Sequence, residues 1–205
     1  MKILCHRGYW KIPAEKNTLT AFERGFNLGL GTETDLRDLN GQLVISHDPP
    51  EGGVMTFEEF LAITPKDAFL ALNVKSDGLA KKASQALKSH GHKAYVFFDM
   101  SVPDMLPYIQ LGAPVAARLS EHEPWVDSLM NSAAYIWLDA FQGEWYDSDY
   151  LKRLLATEKQ VLVVSSELHG RSKDLQWALL DSFSQSDKLT LCTDLPEIAL
   201  ERFCV

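Results

Sequence analysis

Between residues 31 and 48 the chain reads GTETDLRDLNGQLVISHD, which predicts two strands joined by a tight turn. Side chains two positions apart in a strand point to the same side, so Glu33 and Asp35 would share one face. Asn40-Gly41 is a strong signal for a two-residue hairpin turn. The second strand would then bring His47-Asp48 back towards the two acids. This grouping indicates a hard cation beside a proton-transfer group, and the alternative is a solvated strand face.

Length, composition and charge are those of an ordinary globular protein. The chain has 205 residues, of which 46% are hydrophobic and 23% are charged, so we expect a single domain over residues 1–205. The net charge of −8 argues against nucleic-acid binding and against a basic membrane-surface helix. No apolar run of the sequence approaches the length that crosses a membrane.

The N-terminus and the cysteines indicate the cellular compartment. The chain enters a strand-like segment directly and lacks the apolar stretch and cleavage site of a signal peptide. Cys5, Cys192 and Cys204 lack the spacing of a metal site, which predicts reduced thiols. We therefore expect a cytoplasmic protein, and the sequence does not indicate its oligomeric state.

Apolar strand-like runs alternate with helix-like segments along the whole chain. Strict alternation predicts parallel strands with right-handed crossovers, and eight repeats of roughly 25 residues predict a compact (β/α)₈ TIM-like barrel. An open doubly wound sheet is the alternative. Besides the hairpin, we predict strands at residues 2–5, 68–74, 94–98, 114–119, 134–139, 160–165 and 188–192. The predicted helices span residues 19–28, 56–63, 77–89, 102–111, 124–131, 147–157, 172–184 and 196–203.

Most of the polar residues that could take part in catalysis or ligand binding fall at or just after predicted strand ends, where the reactive rim of such a barrel lies. They are His6, Arg7, Glu33, Asp35, His47, Asn73, Lys75, Asp99, Arg118, Asp139, Glu167, His169 and Asp194. By contrast, His90 and His92 precede a strand and would lie at the opposite rim. We expect these two histidines to be solvated loop residues and not metal ligands.

The residues at the first strand ends favour phosphodiester cleavage. The two acids of the hairpin suit Mg²⁺ or Ca²⁺. His6 and His47 titrate near neutrality, so one can accept a proton while the other donates one. Arg7 and Lys75 supply positive charge for phosphate oxygens. The sequence has neither a P-loop nor a Gly-x-Ser-x-Gly motif.

Several blocks of the chain together resemble the glycerophosphodiester phosphodiesterase family. They are His6-Arg7-Gly8, Glu15-Lys16-Asn17-Thr18, Glu33-Thr34-Asp35, Val44-Ile45-Ser46-His47-Asp48, Leu72-Asn73-Val74-Lys75 and Thr193-Asp194-Leu195-Pro196. The resemblance covers the chain almost end to end and is most specific in its first part. It implies a TIM-like barrel and a small-molecule phosphodiester substrate, with a place in lipid metabolism.

The resemblance also implies roles for individual residues. Glu33 and Asp35 would hold a divalent cation, with Asn73 at the third ligand position. His6 and His47 would act as general acid and base, in an order that the sequence does not give. Phosphate contact would fall to Arg7 and Lys75, which completes the expected catalytic set.

Two departures from the family pattern bear on these expectations. Asn73 stands where family members usually carry a Glu, so metal affinity should fall unless Asp99 or Asp139 compensates. Only residues 49–55 separate the His-Asp pair from the next helix, where the family commonly has a sizeable insertion. The shorter segment would leave the site open to glycerol- or glycan-linked phosphodiesters, and larger phospholipids are a further alternative. Two alternatives follow: a catalytically weakened binding protein, or a lyase that forms a cyclic phosphate.

Three further residues are candidates for substrate binding. Arg118 would contact an anionic group, although a salt bridge at the rim is an equal alternative. His169 lies in a loop on the same rim. Trp145 would offer a platform for a sugar or lipid group, with packing against the neighbouring helix as its alternative.

Overall fold

The computed structural model describes residues 1–204. Within this range eight parallel strands alternate with helices, which confirms the (β/α)₈ TIM-like barrel as the fold class. The strands are β1 (Lys2–His6), β2 (Gly31–Leu39), the antiparallel β3 (Gln42–Ile45), β4 (Leu70–Val74), β5 (Tyr95–Phe98), β6 (Ala116–Leu119), β7 (Tyr135–Leu138), β8 (Gln160–Val164) and β9 (Leu189–Thr193). The α-helices are α1 (Leu19–Asn27), α2 (Phe57–Ile63), α3 (Ala80–Ser89), α4 (Val102–Gln110), α5 (Asp127–Ser132), α6 (Ser148–Leu155), α7 (Asp174–Leu180) and α8 (Pro196–Phe203).

The chain divides into two compact units. The N-terminal unit is Cys5–Val115, and the C-terminal unit combines Met1–Leu4 with the described residues from Ala116 onward. Each unit contains part of the strand and helix alternation. The single domain expected over residues 1–205 stays a prediction.

In the N-terminal unit, β2 lies at the centre of the sheet. It pairs in parallel with β4, which sets Asp35 opposite Asn73, and antiparallel with β3. The predicted hairpin turn is present, with Asn40 at φ 52° and Gly41 at φ 81°. Positive φ at both positions is what the turn that matches strand twist requires. The five β2 residues from Thr32 onward are buried, so this part of the strand is not a solvated face.

The helices of the N-terminal unit begin where the sequence provides caps. Thr18 accepts a hydrogen bond from the Ala21 N–H at the start of α1. Thr56 and Glu59 form a reciprocal capping box at the start of α2, which satisfies two backbone donors that the helix leaves unpaired. Phe22 of α1 and Phe60 of α2 then pack edge to face, 4.7 Å between ring centroids, in the buried core.

In the C-terminal unit, strands β6 to β9 pair in parallel in chain order. Most residues of these strands are buried, and together with Trp177 of α7 they form its core. The helix expected over residues 172–184 ends earlier, at Leu180, and continues as a short 3₁₀ turn in which Asp181 is paired with Arg202 at 2.7 Å. Within the described residues, no helix has the length and apolar character needed to cross a membrane.

One expectation about the opposite rim is wrong. His92 is not solvated but 3% exposed, and its Nε2 lies 3.2 Å from the backbone oxygen of Ala68. The segment before β5 folds onto the barrel wall, which buries the ring. His90 is half-buried, with Nδ1 3.0 Å from the Ala86 oxygen.

Candidate active site

Two buried carboxylates lie two residues apart on β2. Glu33 is 1% exposed and Asp35 is fully buried, so neither is solvated. A buried carboxylate is strongly unfavourable unless cations or hydrogen-bond donors surround it. The surroundings of these two side chains therefore define the site.

Asp35 lies between two cationic side chains. Its Oδ2 is 2.9 Å from Arg7 Nε and accepts a hydrogen bond from Asn17 Nδ2 at 2.9 Å. Its Oδ1 is 3.6 Å from Lys75 Nζ, and Lys75 in turn lies 3.9 Å from Asp99 Oδ2. Arg7 and Lys75 are both paired here with an acid of the site, and their contact with phosphate stays a prediction.

Glu33 has a different electrostatic environment from Asp35. The Arg7 N–H donates to its Oε2 at 3.3 Å, and His6 Nε2 lies 3.9 Å from the same atom. Burial, and then the negative charge of Asp35, raise the pKa of Glu33 to about 8, against the opposing influence of Arg7, Lys75 and an Asn73 hydrogen bond. At neutral pH the Glu33 carboxyl therefore holds a proton when no further cation is near it.

The oxygen atoms of this cluster fit a hard divalent cation. Asp35 Oδ1 and Asn73 Oδ1 are buried, and neither accepts a hydrogen bond from any described residue. Together with Glu33 they offer two carboxylates and one amide oxygen, which are ligands that Mg²⁺ and Ca²⁺ accept. Within residues 1–204 there is no cluster of three or more His, Cys, Asp or Glu side chains with metal-binding geometry.

His47 stands at the exposed side of the site. Its side chain is 43% exposed, and its Nδ1 lies 2.9 Å from Asp48 Oδ1. The residue follows β3, which is tied to β2 by the hydrogen bond from the Ser46 N–H to the Asp35 backbone oxygen at 3.0 Å. His47 and Arg7 both line a cavity of about 550 Å³. Arg7 thus belongs both to this cavity and to the carboxylate cluster.

The backbone is strained in the loop after β1, which contains Arg7 and Asn17, and again at Asp99 after β5. Arg7, Asn17 and Asp99 all have φ between 57° and 69°, a region that non-glycine residues rarely adopt. Such conformations persist only where the surroundings impose them, and they cluster at functional sites. Gly8, next to Arg7, has φ 79°, and a Cβ there would lie 2.8 Å from the Ala21 Cβ. Packing of the loop on α1 therefore fixes the direction of the Arg7 side chain.

Asn17 is a site residue that the sequence patterns did not single out. Besides its bond to Asp35, it accepts a hydrogen bond from Thr34 Oγ1 at 2.8 Å, and its N–H donates to the Arg7 oxygen at 2.9 Å. Its place in the Glu15–Thr18 block was the available signal, and the cap of α1 in that block is Thr18. Glu15 of the same block is paired with Arg24 at 2.8 Å.

The remaining candidates lie in the C-terminal unit, around the buried Asp139. His169 Nε2 is 2.7 Å from Asp139 Oδ1, and an Arg118 nitrogen is 3.8 Å from Asp139 Oδ2. Trp145 Nε1 donates to the Asp139 backbone oxygen at 2.7 Å, and its ring packs 5.0 Å from Tyr150 of α6. Asp139 organises these three side chains, and their contact with substrate stays a prediction.

Comparison with solved structures identifies similar folds. A glycerophosphodiester phosphodiesterase from Parabacteroides distasonis is 20% identical with a TM-score of 0.76, covering 98% of this chain and 95% of its own. The enzyme of that name from Agrobacterium tumefaciens is 17% identical with a TM-score of 0.73, over 97% of both chains. For that of Thermotoga maritima the identity is 16% and the TM-score 0.75, over 97% of this chain and 96% of the other.

Searches with the sequence give a different result. No protein-family model and no curated protein matches it. The resemblance to glycerophosphodiester phosphodiesterases is therefore confirmed in three dimensions, over nearly the whole length of both partners. The chain has the fold of the glycerophosphodiester phosphodiesterases of known structure.

Proposed function

We propose that the chain is a divalent-cation-dependent hydrolase of small glycerol- or glycan-linked phosphodiesters. The fold supports a phosphodiesterase-type activity. The observation that carries the proposal is the burial of Asp35 between Arg7 and Lys75, beside the protonatable Glu33. In this arrangement a metal cation would pair with Asp35 and Glu33, and a phosphate would pair with Arg7 and Lys75. The cysteines of the described residues are not joined by a disulfide, which supports a cytoplasmic location.

Glu33, Asp35 and Asn73 would hold Mg²⁺ or Ca²⁺, which would supply positive charge at the phosphate. Arg7 and Lys75 would then leave Asp35 and bind phosphate oxygens, with the Arg fork fixing their orientation. The strained loop and Asn17 hold Arg7 at the edge of the cavity, where a substrate can reach it. Asn73 contributes an oxygen without charge, so cation and substrate would depend on each other.

His6 and His47 would move the protons. Asp48 only accepts hydrogen bonds when ionised, so its contact with Nδ1 leaves His47 Nε2 as the proton acceptor or donor. One imidazole takes a proton from the attacking water as the new P–O bond forms. The other gives a proton to the leaving oxygen as the old P–O bond breaks. His6, beside Glu33, would be the inner member of the pair.

A purified-enzyme assay tests this proposal. The protein is incubated with Mg²⁺ or Ca²⁺ and a panel of glycerophosphodiesters and glycan phosphodiesters. We expect turnover of at least one substrate, and a turnover rate that falls about a hundredfold or more in His47→Gln and in His6→Gln. His90→Gln, which lies outside the site, is the matched control. Full activity in both site variants would contradict the assigned roles, and no turnover on the whole panel would contradict the enzyme.

Asn73 favours a second candidate function, a binding protein that has lost efficient catalysis. In that case the protein binds a phosphodiester without turning it over, and Asn73→Glu restores cleavage. The lyase alternative differs in its product, because a substrate hydroxyl attacks the phosphate in place of water. Phosphorus NMR of the product separates a cyclic phosphate from a monoester.

A further inference from the structure

A second cavity, of about 770 Å³, is lined by α3, α4 and the segments that precede β5 and β6. It belongs to the N-terminal unit and shares no lining residue with the candidate active site. Its volume is in the range of cavities that bind small organic molecules. The proposed phosphodiesterase activity gives this cavity no role.

The charge of this cavity differs from that of the whole chain. Lys81, Lys88 and Lys93 line it and are exposed, while none of its lining residues in the described part of the chain is an Asp or a Glu. The chain as a whole carries a net charge of −8. A local excess of three ammonium groups favours an anionic ligand.

One of the residues that line the cavity carries a buried hydrogen-bond acceptor. His92 lines it, and because a backbone oxygen only accepts, the Nε2 that faces Ala68 must carry the proton. Burial lowers the pKa of His92, so the ring is neutral and Nδ1 has a free lone pair. Within residues 1–204, neither this Nδ1 nor the buried Oγ of Ser84, which lines the same cavity, has a hydrogen-bond partner. A hydroxyl group is the donor that would satisfy the histidine.

The rest of the lining is largely apolar. Pro107, Leu111, Ala113 and Pro114 form one part of the wall, with the half-buried ring of Tyr95. Leu111 of this wall is 53% exposed, so much of its aliphatic side chain is in contact with water. A ligand with an apolar body would remove this surface from water.

We propose that this cavity binds a small amphiphilic organic anion that also carries a hydroxyl group. The anionic group pairs with Lys81, Lys88 and Lys93, the apolar body covers Leu111, and the hydroxyl donates to His92 Nδ1. Three observations support it independently: the three lysines in a lining that has no acidic residue, the buried lone pair and the apolar wall. The proposal stands apart from the phosphodiesterase site.

Calorimetric titration of the metal-free protein with three probes tests the chemistry of the ligand. The probes are 12-hydroxydodecanoate, dodecanoate, which lacks the hydroxyl, and 1,12-dodecanediol, which lacks the charge. We expect the hydroxy acid to bind best, with each of the other two weaker by about tenfold. Equal affinities for all three probes, or no binding of the hydroxy acid, would overturn the proposal.

Variants of the lysines locate the site. Lys88→Gln/Lys93→Gln should weaken binding of 12-hydroxydodecanoate by about tenfold or more, since each neutral side chain removes one favourable charge. Lys152→Gln/Lys173→Gln in the C-terminal unit makes the same change in net charge and should leave the affinity unchanged. An equal loss in both double variants would reduce the effect to general electrostatics and overturn the assignment.

The histidine is followed without a variant that could unfold the protein. In protein labelled with ¹⁵N-histidine, the Nδ1 resonance of His92 should move upfield when 12-hydroxydodecanoate binds, because its lone pair accepts a hydrogen bond. Dodecanoate should leave this resonance in place. A resonance unmoved by the hydroxy acid would overturn the role of His92. Because these measurements use no cation and no phosphodiester, they are independent of the enzymatic activity.

Discussion

At the residue scale, the two acids of β2 differ in their electrostatic environment although only one residue separates them. The negative charge of Asp35 is compensated by the side chains of Arg7 and Lys75. Glu33 receives less compensation, and its burial raises its pKa to about 8. A carboxyl that is neutral in the free protein would ionise if a metal cation were bound beside it. This difference follows from which backbone atoms and side chains approach each acid.

The pKa of Glu33 predicts how stability depends on pH in the metal-free protein. The carboxyl ionises near 4.5 when the chain is unfolded and near 8 when it is folded. Between these values the folded state binds more protons, so the free energy of unfolding should fall as pH rises, by up to about 1.4 kcal/mol per pH unit from this group. Urea titrations at pH 5 to 8 measure the slope.

Glu33→Gln is the test of that assignment, because glutamine is neutral at every pH. The variant should lose the part of the slope that comes from Glu33, while the exposed Glu58→Gln should keep it. A slope unchanged in Glu33→Gln would mean that another group titrates in this range.

Asn73 predicts a change in metal affinity. Asn73→Glu places a third carboxylate beside Asp35 and Glu33, and we expect it to tighten binding of Mg²⁺ or Ca²⁺ by about tenfold or more. Asn73→Gln lengthens the side chain without adding charge and should not tighten it. Calorimetric titration with the metal gives the dissociation constants. Equal affinity in Asn73→Glu and the natural protein would place the cation elsewhere.

At the element scale, the hairpin of β2 and β3 could be predicted from the sequence, and the loop between β1 and α1 could not. The hairpin was readable from the sequence, because Asn40-Gly41 and the flanking apolar residues specify one turn and one register. The loop was not readable, because positive φ at Arg7 and Asn17 results from packing against α1 and β2. The pairing of Arg7 with Asp35, and the role of Asn17, depend on that loop.

Asn17 allows the contributions of the loop to be separated. Asn17→Gly removes the hydrogen bonds to Asp35 and Thr34 but accepts φ 60° without strain, and it should lower the free energy of unfolding by about 1–3 kcal/mol. Asn17→Ala removes the same bonds and adds the left-handed strain, so it should cost about 1 kcal/mol more. Urea unfolding measures both.

The ranking of the two variants separates strain from hydrogen bonding. If Asn17→Ala is as stable as Asn17→Gly, the backbone strain contributes nothing and the loop relaxes. If both match the natural protein, the contact of Asn17 with Asp35 is without energetic weight.

At the scale of the whole molecule, the fold was predictable because the same signal repeats. Each strand and helix is short and ambiguous on its own, but eight consecutive repeats leave few other topologies. The position of polar residues near strand ends then predicted the reactive rim, and His92 precedes β5 as the sequence indicated. Its burial was not predictable, since exposure depends on how the segment packs and not on its order in the chain.

Binding of a cation should stabilise the whole molecule, since only the folded chain assembles Glu33, Asp35 and Asn73. At about 100 times its dissociation constant, Mg²⁺ or Ca²⁺ should add about 2.7 kcal/mol to the free energy of unfolding, with a higher Tm that a chelator reverses. Glu33→Gln should lose most of this gain, and Glu58→Gln should retain it. Scanning calorimetry provides the comparison, and a gain of the same size in Glu33→Gln would contradict the ligand set.

Because Asp35 lies between Arg7 and Lys75, the binding of phosphate and the binding of metal at the site are expected to be thermodynamically linked. A phosphate group that binds alone would compete with Asp35 for Arg7 and Lys75. A metal ion that binds alone would meet a carboxylate whose charge these two side chains already compensate. Each ligand removes the obstacle to the other, so their affinities are expected to be reciprocally enhanced by one common factor. We therefore expect such a site to be selective for the simultaneous presence of metal and phosphate and to bind either one weakly by itself.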